Sequence, residues 1–367
     1  MGGSSIPLRV ELGQLTGPVT WSLDSGSPGT LIGTTGNLSN YAPPDDGSIL
    51  VDTLVRVIAT AGGQTATTEI LLHPVQPLTQ LLGPTDDPQA PGNPLESPGG
   101  IARDSKGNIY VSDQVRGTIT KLTPSGVPSQ FAKLSGGIGA LAFDGAGNLY
   151  AAYGSSSILK FTPDGNSTVL VGRAGFGSVD GPADVATLRA IRGLVATSNG
   201  TLYVTDNRTV RKIDPTGYVT TIAGHCDPIG SHDGDIICAG GPSVDGDSAT
   251  ARFTAPDGIT VDNQGILYVH DSTIRTVGLD GSVRTLVSGD VVSYGGGGGI
   301  ARDPAGNLYI AASAANAVLK VAPDGSVTTV AYAVGQDIYH SVVDVKYVDA
   351  HTLLVLTRLS VQLLTLP

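Results

Sequence analysis

Gly100–Asp113 reads GIARDSKGNIYVSD, and the same pattern returns along the chain. It stands as ALAFDGAGNLYAA from Ala140, GLVATSNGTLYVTD from Gly193, GITVDNQGILYVHD from Gly258 and GIARDPAGNLYIAA from Gly299, with a degraded copy, DVKYVDAHTLLVLT, from Asp344. Each unit is an apolar strand, a tight D-x-x-G turn and a second strand that opens with Leu or Ile before a Tyr. Tyr110, Tyr150, Tyr203, Tyr268 and Tyr309 hold one slot, and Leu354 takes it in the last copy. A third strand follows and ends in a further turn, as in TVRKIDPTG from Thr209 and AVLKVAPDG from Ala317; a fourth follows that, as in VTTIAG from Val219. Four short strands in a repeat of about 40 residues is the arithmetic of a propeller blade.

Successive slots are 40, 53, 65, 41 and 45 residues apart, so two repeats carry insertions, at Gly172 to Arg192 and Gly224 to Asp257. Inserted loops are where binding residues accumulate. The chain ends on SVQLLTLP, which has the form of a third strand with no fourth behind it. PLTQLLG, Pro77 to Gly83, has the form of a fourth strand and stands just before the first repeat. Pairing the two removes an exposed edge and predicts six blades from about residue 75 to residue 367, closed by strand 77–83. Residues 1–73 lack the repeat but alternate in VTWSL, LVRVIAT and TTEILL, which predicts a small β-sandwich with Trp21 as its core filler.

Composition agrees with an all-β chain. Of 367 residues, 51 are Gly and 23 Pro, and the 32 acids divide into 29 Asp and only 3 Glu, a choice that suits turns and not helix interiors. The net charge is −11, and from Val75 onward 19 Lys and Arg stand against 26 Asp and Glu. Such a surface repels phosphate backbones and anionic lipid, which excludes nucleic acid as a partner class. No run of 18 uncharged apolar residues predicts a transmembrane segment. The MGGSS start fits a lipid-anchored, processed N-terminus and a cloning scar equally well.

The repeat resembles the NHL family of β-propellers, most closely in PDGITVDNQGILYVHD, in TVRKIDPTGYVTTIAG and in the paired insertions SVDGDSATARFTAPDG and SVDGPADVATLRAIRG. The first 73 residues resemble bacterial Ig-like domains through VTWSL, NYAPP and VRVIAT. Together the resemblances imply an exported bacterial protein of the cell surface, periplasm or extracellular space. NHL-type propellers include a zinc-dependent amidating lyase, RNA-binding modules and scaffolds without chemistry, so fold alone does not choose a function.

A site used once should stand where one repeat departs from the others. Asp180, Arg192, His225, His232, Asp233, Asp235 and Asp245 lie in the insertions, and His270 replaces the Ser112 and Thr205 of other repeats. Asp-Gly pairs form turns, while grouped hard carboxylates are also the ligand chemistry of calcium; both readings stay open, and no other cofactor is expected. The imidazoles do not reproduce the family's zinc pattern. Arg103 and Arg302 fall where other repeats have Phe143, Ala196 and Val261, and are expected to pair with a neighbouring carboxylate near the channel. Asp104, Asp144, Asp262 and Asp303 recur at one turn, which argues for turn geometry and not for a site used once. Cys226 and Cys238, the only cysteines, are expected to form a disulfide across the longer insertion. No nucleophile motif or phosphate loop occurs; the Gly295 to Gly299 run lacks a following Lys-Ser/Thr.

These features predict a surface-exposed binding or adhesion protein whose face loops take a protein, peptide or glycan. The rival expectation is a metal-dependent propeller enzyme, of the amidating-lyase or lactonase kind, acting at the mouth of the central channel.

Overall fold

The structure, a computed structural model, describes residues 6–9, 18–42, 53–72, 78–83, 95–154, 156–172, 175–225, 228–232, 235–238, 241–287, 298–332 and 341–366. The chain divides into two compact units, Met1–Pro77 and Leu78–Pro367. The first holds two three-stranded sheets, one of Ile6–Arg9, Leu38–Ala42 and Thr30–Ile32, the other of Thr20–Leu23, Thr53–Ala61 and Gln64–Leu72. Val19, Trp21, Tyr41, Val55 and Val57 form their shared core. Its two large polar-tipped aromatics are satisfied inside it: Trp21 Nε1 donates to the Gly36 carbonyl at 2.7 Å, and the Tyr41 hydroxyl donates to the Pro28 carbonyl at 2.7 Å.

Among the described residues the second unit holds six four-stranded antiparallel sheets and one two-stranded sheet. The first runs from Pro98–Arg103 to Pro128–Lys133, the second from Ile138–Phe143 to Ser167–Val171, and the third from Ile191–Ala196 to Val219–Ala223. The fourth runs from Ile259–Val261 to Val283–Val287 and the fifth from Ile300–Arg302 to Val327–Tyr332. The sixth takes Val342–Asp349, Thr352–Thr357 and Val361–Thr365 from the end of the chain and Leu78–Leu82 from its start. Val361 faces Leu82 and Leu364 faces Leu78, so the last strand of the chain is not left as an edge. The opening strands of successive sheets contact one another in order, and that of the sixth contacts that of the first.

The D-x-x-G turn has a single recurring design. Asp104 Oδ1 accepts the N–H groups of Lys106 and Asn108 at 2.9 and 2.8 Å, while Oδ2 accepts the Asn108 side-chain amide at 2.7 Å and the Tyr110 hydroxyl at 3.3 Å. Asp144 repeats all four bonds with Ala146, Asn148 and Tyr150. Asp262 and Asp303 hold Tyr268 and Tyr309 in the same way. The Asp and Tyr therefore recur together because one carboxylate closes the turn and anchors the ring six residues later.

Glycine opens the inner strands for a different reason. A Cβ at Gly193 would strike the Asp257 carbonyl, one at Gly258 the Gly298 carbonyl, and one at Gly299 the Asp344 carboxylate. Opening strands of neighbouring sheets approach backbone to backbone there. They converge on one cavity.

Candidate functional site

A cavity of about 700 Å³ is lined by the opening strands of all six sheets. Its wall is mostly glycine and small aliphatic residues, and its charged residues are Arg192, Asp257, Asp344 and Lys346. Strand register breaks at this level in four sheets: between Pro98 and Gly100, Ile138 and Leu141, Ile191 and Leu194, and Val342 and Asp344. The residues within three of those irregularities, Gly99, Gly139, Ala140, Arg192 and Gly193, line the cavity, as does Val343 in the fourth. A bulge re-aims side chains and releases backbone groups from the ladder, and it is used in this way beside binding sites.

Arg192 Nη1 stands 3.7 Å from Asp257 Oδ2, and half of the arginine side chain is exposed against 15% for the aspartate. Lys346 Nζ donates to Asp344 Oδ1 at 3.0 Å, with exposures of 27% and 10%. Asp344 is also a seam residue. Its Oδ2 accepts the Ile101 N–H of the first sheet at 3.2 Å, and Oδ1 accepts the Val345 N–H at 2.8 Å.

His270 belongs to a series of seam bonds and not to the cavity wall. Ser112 Oγ donates to the Gly139 carbonyl of the next sheet at 2.6 Å. Thr205 Oγ1 accepts from Gly193 N at 2.7 Å and donates to the Asp257 carbonyl at 2.7 Å. His270 Nδ1 lies 3.2 Å from the Gly298 carbonyl oxygen, a contact in which the ring nitrogen donates. Its departure from the Ser/Thr of other repeats thus keeps their role. Arg302 also differs from expectation: its guanidinium lies 5.4 Å from the centre of the Tyr268 ring, packing the seam between the fourth and fifth sheets. Arg103 is exposed at the end of its strand.

Asp180 and Asp245 form two copies of one clasp. Arg211, with no exposed side-chain surface, donates through Nη2 to Asp180 Oδ1 at 2.6 Å and to the Val179 carbonyl at 3.1 Å, and through Nη1 to Asp206 Oδ2 at 2.8 Å. Asp180 Oδ2 accepts the Thr221 N–H of the outermost strand at 2.8 Å. In the fourth sheet Arg275 Nη2 donates to Asp245 Oδ1 and to the Val244 carbonyl, both at 2.7 Å, and Asp245 Oδ2 accepts the Thr285 N–H at 2.8 Å. Gly181 then bridges to Val219 and Gly246 to Val283, so each insertion folds over the outer edge of its own sheet. Burial pushes the carboxyl of Asp206 up; the N–H groups of Ala190 and Arg189 and the Arg211 charge offset this only in part. For Asp245 burial also acts upward, but the Thr285 and Arg275 bonds outweigh it and hold the carboxyl below the usual range.

These clasps were missed in the sequence, although a signal is present. Only the two repeats that carry SVDG have Arg in the third strand, at the slot of Thr120, Leu159 and Leu319. The remaining candidates are not brought together. His225 is exposed, Pro228–His232 pairs with Asp235–Cys238 as a hairpin, and Asp233, Cys226 and the side chains of His232, Asp235 and Cys238 lie outside the described residues. Among the described residues no three His, Cys, Asp or Glu side chains form a group that could hold a metal ion. The two cavity carboxylates each face a cation, so the donors present do not fit the divalent ion expected of a metal-dependent propeller enzyme, and Asp180 and Asp245 are spent on arginine.

No family model matches the chain, and no curated protein does. Solved structures do. The gluconolactonase XC5397 of Xanthomonas campestris is 17% identical with a TM-score of 0.57, covering 80% of this chain and 90% of its own. Virginiamycin B lyase of Staphylococcus aureus is 14% identical with a TM-score of 0.53, covering 79% of this chain and 99% of its own. A putative gluconolactonase is 14% identical with a TM-score of 0.55, over 79% and 98%. At these identities the likeness is one of fold: the chain is all-β, and its repeated four-stranded sheets form a β-propeller.

Proposed function

We propose that the axial cavity binds a small polar molecule and that the chain is a propeller enzyme which opens a cyclic ester or a similar acyl bond. The observation that carries this is Arg192, which a strand irregularity turns into the cavity with half its surface exposed and one long ion pair. Arg192 and Lys346 supply hydrogen-bond donors for the oxygen charge that develops when water adds to a lactone or ester carbonyl, before the ring C–O bond breaks and the leaving alcohol takes up a proton from that water. Asp257 and Asp344 position those two cations. The similar folds of a gluconolactonase and of virginiamycin B lyase favour this class over adhesion, and Asp180 and Asp245 of the insertions are occupied internally. We further read the ring as a six-bladed, NHL-like propeller behind an Ig-like domain, in an exported protein with a Cys226–Cys238 disulfide; mass spectrometry with and without reduction tests the last.

The direct test is turnover. Gluconolactone and a streptogramin B antibiotic are incubated with the protein and products are followed by mass. Ring opening that falls at least about tenfold in Arg192→Gln supports the reading, that being the scale of one lost charged hydrogen bond. Turnover unchanged in Arg192→Gln and in Asp257→Asn would place the site elsewhere.

A further inference from the structure

The four charges of the cavity do not cancel from the standpoint of a bound molecule. Asp344 is committed to three donors, the Ile101 and Val345 N–H groups and Lys346 Nζ, and its side chain is 10% exposed. Asp257 is held in the wall at 15%. The cations reach further out. Arg192 has five N–H donors, and among the described residues its one charged contact is the 3.7 Å approach to Asp257, too long for a good hydrogen bond. Lys346 uses one of its three donors on Asp344. Surplus donors therefore face the lumen, while Asp344 uses its oxygens on the wall and Asp257 is only 15% exposed.

Their placement adds geometry. Arg192 enters from the third sheet and Lys346 from the sixth, and the opening strands contact one another in cyclic order. Two sheets separate them in either direction, so the cations approach the lumen from opposite sides. The surface between them is uncharged apart from their own partners, with Gly139, Ala140, Leu141 and Ile259 among it. At about 700 Å³ the space is of the size that holds a small organic molecule.

Resting on the reading of this cavity as the ligand site, we propose that its ligand carries a carboxylate, gripped by Arg192 and opposed by Lys346. A carboxylate matches the planar fork of the guanidinium in two parallel bonds, which a lysine ammonium does not offer, and it replaces the long Asp257 contact with short ones.

Titration calorimetry on the full chain with malonate as the carboxylate probe tests this, with malonamide as its uncharged counterpart and inorganic phosphate as a second anion. Malonate is expected to bind, malonamide not to bind, and phosphate to bind more weakly. Arg192→Gln and Lys346→Gln should each weaken malonate by about tenfold or more, and Lys346→Arg should restore part of it. Unchanged malonate affinity in both Gln variants, equal binding of malonamide, or tighter binding of phosphate would overturn the proposal. If malonate does not bind but ring opening still falls in Arg192→Gln, the carboxylate preference is wrong and the site stands; if neither depends on Arg192, the site itself falls.

Discussion

Arginine meets aspartate both in the insertions and in the axial cavity, and the two settings are built in opposite ways. Arg211 and Arg275 have no exposed side-chain surface; Arg211 bonds Asp180 at 2.6 Å and Asp206 at 2.8 Å, and Arg275 bonds Asp245 at 2.7 Å. Arg192 is half exposed and stands 3.7 Å from its one aspartate. A buried, closely paired cation fixes a structure, because removing it strands a charge; an exposed, loosely paired one is available to a ligand. Each insertion, where a sequence reader looks first for recognition, is thus fastened to its sheet at Asp180 or Asp245, and the open charge stands where the insertions end, at Arg192 and Asp257.

The comparison predicts a hierarchy of effects. Arg211→Met should cost about 3–5 kcal/mol in urea unfolding, since Asp206 keeps no exposed surface once its partner is gone. Adding Asp206→Asn should recover part of that loss; if the single variant costs nothing, the clasp is not a fastening. The anchored tyrosines come next. Burial first, and then the charges of Asp104 and Asp144, push Tyr110 and Tyr150 up to about 12. A tyrosine raised above its unfolded value of about 10 stabilises fully below pH 10, and that contribution is lost as pH rises toward 12. Alkaline unfolding should therefore set in above pH 10, and Tyr150→Phe should flatten the decline by at most about 3 kcal/mol. A decline of the same steepness in Tyr150→Phe would remove this residue from the account.

At the acid end the sign reverses. Asp245 is held below the ordinary carboxylate range, so its contribution is present above a pH of about 4 and fades as pH falls through its folded value. Asp245→Asn should accordingly lose less stability between neutral pH and pH 3 than the parent chain, as circular dichroism would record. The smallest expected effect on stability is at the cavity itself: Arg192→Gln should stay within about 0.5 kcal/mol. A large loss there would erase the contrast.

The repeat was legible because it rests on local chemistry. Asp104 and Tyr110 are six residues apart and bond to each other, so turn and strand are written in one short string, and the sixth sheet could be anticipated from PLTQLLG and SVQLLTLP by their form. The clasp was half legible: Asp180 and Asp245 stood out, but their arginines lie 31 and 30 residues away, and only the shared absence of Arg from the other third strands links them. The cavity was least legible. Arg192 sits in a register irregularity that no alternation reveals, and Lys346 lies in the degraded repeat, between two further irregularities. His270 shows the converse error, since a change of residue type there preserves a carbonyl contact made by Ser112 and Thr205.

Gly139 offers the most direct test of where the ligand binds. It lines the cavity, and a Cβ there would meet Ala152 Cβ at 3.6 Å, an ordinary contact, so a side chain can be added without breaking a seam. Malonate titration and thermal unfolding of Gly139→Phe should show binding abolished with the melting temperature little changed. Undiminished binding in a well-folded Gly139→Phe protein would contradict the account and move the site out of the axis.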